Sequence, residues 1–496
     1  MSKDILVEAE SGQTRVAVLE DGRLMELYIE REGQEKLVGN IYKGRVANVL
    51  PGMQAAFVDI GLDKNAFLYA GDIQVDRRDA EGLHKQLKET SIRQMVKPGQ
   101  EVLVQVTKVA GGTKGPRITN HVTLPGRMAV LLPTVSYVGI SRRIEEEQER
   151  ARLRTLAEAL KPEGMGVIVR TAAEGVSPED LKQDIDYLTR LWESIARRAR
   201  VAMPPCLLHR DEGLIYRAVR DMLKDEVDSL WVDGAEPHRF IQDTAQMLSP
   251  ALSGKVRRYE GETPLFDLHR VDDQAAKALS RRVWLKSGGY LVIDHAEALT
   301  VIDVNTGKFV GEKNLSETVF SINCEAVSEI ARQLRLRDVG GIIVIDFIDM
   351  DQQSQREALV ELLRQELKKD RSKTNLVGLT ALGLVEMTRK KVQQPIRAVL
   401  KQTCPICQGE GAVYSGETIA RGALHVLNGK LRRGESSAYL IHCAAAVAGE
   451  LERLGVPAGS RVYVKEERCS VECYDIEPVA EHQLPAGAKK LPAQMG

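Results

Sequence analysis

Two apolar runs, each ending in an aspartate, constrain this chain more than any other feature. One is Leu299-Thr-Val-Ile-Asp-Val-Asn305; the other is Gly341-Ile-Ile-Val-Ile-Asp-Phe347. An acid in so apolar a run is costly to bury unless something cationic compensates it. On a strand alternate side chains share a face, so Asp303 and Asn305 point together while Ile302 and Val304 point the other way. Asp346 follows four apolar residues that read as a central buried strand. A single Asp in such a place is usually a structural ion pair or a strand-end cap. Here the flanks are alike, neither acid has a sequence-local basic partner, and Asn305 adds an oxygen donor. Two carboxylates meeting at adjacent strand ends make a hard oxygen site suited to Mg²⁺ or Mn²⁺, the site of metal-assisted phosphoryl transfer.

The 496 residues are enough for three or more domains with substantial cores. With 69 Lys plus Arg against 70 Asp plus Glu, net charge does not announce nucleic acid, so any basic surface must be local. No stretch approaches the roughly 20 apolar residues of a membrane span, and Met-Ser-Lys-Asp-Ile-Leu-Val lacks a signal-peptide core. Seven unevenly spaced cysteines do not form a disulfide framework. The expectation is a cytoplasmic protein.

Residues 1–36 alternate like a strand meander, and 37–120 read as all-β with glycine turns. Between Gly71 and Gly99 lies a polar, charged insertion. The run from Gly44 to Gly61, Gly-x-Val followed by Ala-Phe-Val-x-Ile-Gly, resembles the S1 RNA-binding domain, a five-stranded OB-type barrel. In such barrels exposed aromatics stack bases and nearby cations hold phosphates. Phe57 and Phe67 are the candidate stackers, with Lys43, Arg45, Lys108, Lys114 and Arg117 close in sequence; the alternative is that both rings fill the core.

Residues 121–216 are mixed, with a strand ending at Arg170-Thr171 and a helix from about 177 to 200 that carries Pro178 in its first turn and arginines in its last. Residues 217–280 read as mainly helical around one short strand, Ser229-Leu-Trp-Val. From 281 to 401 the order is strand, strand, helix, strand, helix, strand, helix: an α/β layer with acids at strand ends, where ligands bind in open sheets. The run Arg389 to Lys401 holds five basic residues and no acid, a solvated helix face or a grip on RNA backbone. Cys404-Pro-Ile-Cys407, followed by Gly409 and Gly411, is half of a tetrahedral zinc site. The other half comes from a second chain, from Cys469 and Cys473, or less well from His442-Cys443. Residues 415–480 form a small mixed unit, and 481–496 read as disordered.

Taken in order, the barrel, the Ile-Asp-x-Asn-Thr-Gly strand, Arg332 to Asp349, Gly383-Leu-Val-Glu-Met-Thr-Arg389 and Cys-Pro-x-Cys resemble the ribonuclease E/G family from about residue 4 to 480. Without a long acidic and arginine-rich tail, the chain is similar to the shorter branch. The resemblance implies a multidomain α/β plus all-β protein. Its parts would be a discontinuous ribonuclease-H-like domain (1–36 with 217–280), the S1 barrel (37–120), a 5′-end sensor region (121–216), a DNase-I-like catalytic domain (281–401), a zinc-link (402–414) and a small C-terminal domain (415–496). It implies a single-strand-specific endoribonuclease acting in A/U-rich segments of mRNA and ribosomal RNA precursors. Asp303 and Asp346 would bind the metal, Asn305 would orient the first, and the products would carry 5′-phosphate and 3′-hydroxyl ends. Gly126, Val130, Arg170 and Thr171 match a pocket for a 5′-monophosphate, and Ala381 stands where the longer branch carries an arginine. Cys404 and Cys407 from two protomers would share one structural Zn²⁺ and build a homodimer or a higher oligomer. The rivals are a non-catalytic S1-domain scaffold and a metal-dependent phosphodiesterase or DNase.

Overall fold

A computed structural model describes residues 2–32, 37–73, 91–108, 115–307, 315–391, 395–434 and 436–494. The chain divides into two compact units, Met1–Val399 and Leu400–Gly496. It is a mixed α/β protein whose strands fall into separate sheets.

Lys3–Glu10, Gln13–Glu20 and Arg23–Arg31 form an antiparallel meander. Its turns, Ser11-Gly12 and Asp21-Gly22, have positive φ at both central residues, the geometry that matches hairpin twist. Two further strands, Ser229–Asp233 and Val256–Tyr259, extend this sheet in parallel beside Lys3–Glu10. The second of these was not expected, because Val-Arg-Arg-Tyr is too short and charged to read as a strand.

Ile41–Leu50, Ala55–Asp59, Ala66–Tyr69, Arg117–Thr119 and Glu101–Lys108 form a five-stranded, S1-like barrel, closed where Ile41–Leu50 pairs with Glu101–Lys108. Gly44 is required there: a Cβ would lie 2.7 Å from a Val58 methyl and 2.8 Å from the Asp59 carbonyl oxygen. The polar insertion largely lies outside the described residues. Further along the chain, the helix Pro178–Val201 begins as its capping signals suggest, with the Ser177 hydroxyl accepting from the Asp180 amide at 3.1 Å.

The sheet that carries both aspartates has the spatial order Arg282–Trp284, Tyr290–His295, Leu299–Asn305, Gly341–Asp346, Leu384–Arg389, Thr374–Leu379. Helices Leu315–Leu336 and Gln353–Lys368 pack on one face, burying Ile302, Ile343, Ile345, Ile330, Leu334 and Leu363 in a common core. Each such residue contributes about 1.5–3 kcal/mol on burial. The other face is open. Ile342 is 50% exposed and Val301 37%, so Gly341–Asp346 is central in strand order but buried on one side only. This corrects the reading of Ile342 to Ile345 as a fully buried run.

In the second unit, helices Gly416–Arg433 and Ala445–Leu454 pack on a sheet of Tyr474–Pro478, Tyr439–Cys443, Val462–Glu466 and Lys489–Lys490. The expectation of disorder over 481–496 fails for its described part: Lys489–Lys490 pairs with Val462–Glu466, and Leu491 is buried.

Candidate active site

Leu299–Asn305 and Gly341–Asp346 run parallel, in a register that sets Asp303 directly beside Asp346. Both acids lie on the open face, because Ile302, Val304, Ile343 and Ile345 take the buried one. Asn305 shares that face, and its amide Nδ2 donates to Asp303 Oδ2 at 2.8 Å. That bond fixes one carboxylate oxygen and leaves the other available. Burial, and then the Asp303 and Asp349 carboxylates, push Asp346 above the usual carboxylate range. Asp349, three residues past the strand end and exposed, was not singled out from sequence; the Asp-Phe-Ile-Asp spacing was the available signal.

The donors fit a hard divalent ion: two carboxylates side by side, with no salt bridge to neutralise either among the described residues. Among those residues no three or more His, Cys, Asp or Glu gather as a metal cage. An ion held by Asp303 and Asp346 would therefore complete its shell with water and substrate phosphate, the manner Mg²⁺ favours.

The barrel presents a second surface. Phe57 and Phe67 are cross-strand partners with ring centroids 5.9 Å apart in an edge-to-face pair. Their strand neighbours Ala56, Val58, Ala66 and Leu68 fill the barrel core, so both rings project outward and are half-buried. Of the cations expected near them, Lys43 lies 2.9 Å from Glu101 and Arg117 donates to Asp72 at 2.7 Å. Arg45 also faces Glu101, at 3.5 Å. Lys108 is exposed, and Lys114 lies outside the described residues.

At the end of the strand Gly166–Val169, Arg170 donates to the Gly126 carbonyl through Nη1 and to Asp221 at 2.8 Å through Nη2. The Thr171 and Ser141 hydroxyls are 3.2 Å apart. Val130 pairs with Ile168 and with Pro125, so it belongs to the same sheet. Gly126 is needed because a Cβ there would meet the Asp184 carboxylate at 2.6 Å. That carboxylate accepts from the Met128 and Ala129 amides, each at 2.9 Å. Asp184, Ser141, Asp221 and Arg220 support this end of the sheet and were not anticipated, since their partners are distant in sequence.

Cys404 is exposed and Cys407 half-buried in a turn. Backbone amides of Cys407 and Ile406 hold the Cys404 thiol below its usual range, favouring thiolate. Cys469 instead reaches the Cys473 carbonyl at 3.7 Å, and no gathering of these cysteines into a four-ligand site occurs among the described residues.

The Ribonuclease E/G family model matches residues 123–392. The chain belongs to the ribonuclease E/G family. It is 44% identical to ribonuclease G of Salmonella typhimurium (strain SL1344) over 453 residues, covering 91% of this chain and 93% of that protein. Against ribonuclease G of Haemophilus influenzae the identity is 42% over 476 residues, 94% of this chain and 97% of that one. Ribonuclease E of Escherichia coli (strain K12) is 36% identical over 429 residues, which is 86% of this chain but 40% of that protein. As a member of the ribonuclease E/G family the chain is an endoribonuclease. The matched span contains both aspartates and the Arg170 end, and stops before the cysteine pair. No helix among the described residues is long and apolar enough to cross a membrane.

Proposed function

We propose that this endoribonuclease is metal-dependent, cuts single-stranded, A/U-rich RNA of messenger and ribosomal-precursor type, and leaves 5′-phosphate and 3′-hydroxyl ends. The observation that carries the reading is the register-matched pair Asp303 and Asp346 on an open sheet face, with Asn305 bonded to Asp303. With Mg²⁺ or Mn²⁺ bound by the two carboxylates, the site offers polarisation of the scissile phosphate and activation of the attacking water. Asn305 holds one oxygen of Asp303, which would leave the other for the ion. No histidine is needed as a general base.

Phe57 and Phe67 stack bases upstream or downstream of the cut, with Lys114 on the backbone. Gly126, Val130, Arg170 and Thr171 receive a 5′-monophosphate, whose dianion accepts several donors at once. The cysteine pair Cys404 and Cys407 supplies half of a tetrahedral zinc site. We infer that a second copy supplies the other half, giving a homodimer. Cys404→Ser/Cys407→Ser should run as a monomer in light scattering, whereas a variant dimer of unchanged mass would remove the link.

The deciding experiment is cleavage of one A/U-rich oligoribonucleotide, bearing a 5′-monophosphate or a 5′-hydroxyl, in Mg²⁺ or EDTA. Wild type should cut only with metal and faster on the 5′-monophosphate form. Asp303→Asn/Asp346→Asn should still bind the RNA and cut neither form. RNA binding without cutting by wild type under all conditions would replace this reading with the scaffold one.

A further inference from the structure

The open face beside the aspartates carries an aromatic and basic cluster that the mechanism above does not use. Cross-strand pairing builds two rows across this face. One row reads Trp284, Tyr290, Asn305; the other reads Arg282, Val292, Asp303, Asp346. Adjacent strands are about 4.8 Å apart, so Tyr290 is the immediate neighbour of Asn305, and Trp284 lies about 10 Å from it. The Trp284 and Tyr290 rings meet edge-to-face with centroids 5.3 Å apart. The Arg282 guanidinium sits 4.4 Å from the Tyr290 centroid and 5.7 Å from that of Trp284. Its neighbour Arg281 is taken by Asp294 at 2.6 Å, whereas Arg282 meets no carboxylate among the described residues. Trp284 is 62% exposed, on the edge strand of the sheet.

Trp284 is part of a contiguous surface cluster with Tyr290 and Arg282, and such patches mark interaction sites. Single-stranded nucleic acid is bound by this combination, an aromatic face for a base and a cation for the backbone. We propose that Trp284, braced by Tyr290, stacks a base of the RNA strand flanking the scissile phosphate, while Arg282 holds that nucleotide's phosphate. The occupant is RNA because the cluster continues the row that carries Asp303 and Asp346, and the charge it adds there, Arg282, is positive and without a carboxylate partner among the described residues. This rests on the nuclease reading of Asp303 and Asp346. The platform is a binding subsite of that centre, separate from the barrel aromatics, and the rigid sheet fixes its distance from the carboxylates. It aligns the strand across the metal-binding pair rather than taking part in bond breaking.

The test uses the full-length protein and a labelled A/U-rich oligoribonucleotide, measuring KM and kcat together with anisotropy. Trp284→Ala should raise KM about tenfold with kcat little changed, and Trp284→Phe should restore most of the loss. Arg282→Gln should weaken binding and flatten the slope of log affinity against log salt by about 0.7. An unchanged KM in Trp284→Ala, with cutting intact, overturns the platform alone. If wild type fails to cut, the nuclease reading falls, and anisotropy decides the platform separately: equal affinity of wild type and Trp284→Ala overturns it.

Discussion

Arg170 shows how a side chain can be visible in sequence while its working state is not. An arginine followed by threonine at a strand end reads as a candidate phosphate-binding pair, since a guanidinium and a hydroxyl together suit a dianion. The sequence could not reveal that Asp221, distant in the chain, already holds one of its nitrogens at 2.8 Å. Burial alone would raise the Asp221 carboxyl, but Arg220 and Arg170 hold it below the usual range. A 5′-phosphate must therefore compete with a fully charged carboxylate, and the net gain is smaller than for a free guanidinium. A hydrogen bond to a charged group contributes about 1.5–3 kcal/mol. Arg170→Gln should accordingly slow the 5′-monophosphate substrate about tenfold or somewhat more and leave the 5′-hydroxyl substrate unaltered. Single-turnover rates on the paired substrates would show it, and equal slowing of both would remove Arg170 from the sensor.

Among the elements, periodicity was most readable where one face is buried by helices. The helix Gln353–Lys368 buries Leu359, Leu363 and Leu367 as its 3.6-residue spacing requires. One reading failed and another held only in part, for related reasons. A continuous apolar run looks the same whether both faces of a strand are buried or one face awaits a ligand, so the exposed Ile342 face was invisible. The basic run from Arg389 was read as one helix face or RNA grip; Lys390, Lys391, Arg397 and Lys401 are exposed, but Arg389 ends a strand. There the period of two puts Arg389 with buried Val385 and Met387, where it meets Asp338 at 2.6 Å and Asp370 at 2.7 Å. It ties the sheet to the ends of its two helices and is buried. Lys391 packs over Gly340, within 2.5 Å of where a Cβ would stand, and residues 392–394 lie outside the described set. Charge in a sequence shows its sign but not its partner.

The same lesson holds for the first unit as a whole, where the run Arg332-Gln-Leu-Arg-Leu-Arg337 looks basic enough for RNA and is instead structural. Arg332 donates to the Leu24 carbonyl at 2.8 Å, and Arg337 to the Ser280 carbonyl at 2.7 Å. Arg335 bonds Glu26 at 2.9 Å and Glu20 at 3.0 Å. The Arg332 and Arg335 contacts fasten the meander Lys3–Arg31 to the helix Leu315–Leu336 beneath the aspartate sheet. Glu26 is the centre of the joint. Burial would raise its carboxyl, but the Arg371 and Arg335 guanidiniums and the Tyr28 hydroxyl, 2.7 Å away, hold it at about 2. A carboxyl depressed in the folded state contributes stability that is complete above its unfolded value near 4.5 and is lost as pH falls toward about 2. The shift corresponds to about 3 kcal/mol at neutral pH. Glu26→Gln leaves Arg335 and Arg371 short of their shared counter-charge, so it should lower stability at pH 7 by about that amount. It should also flatten the acid limb between pH 4.5 and 2, because the group that titrates there is gone. Denaturant titrations of wild type and variant at pH 7 and pH 3.5 measure both effects. Curves that stay parallel across that window would mean Glu26 carries none of the acid sensitivity, leaving the Arg335–Glu20 and Arg332–Leu24 bonds as the polar ties between the meander and the helix.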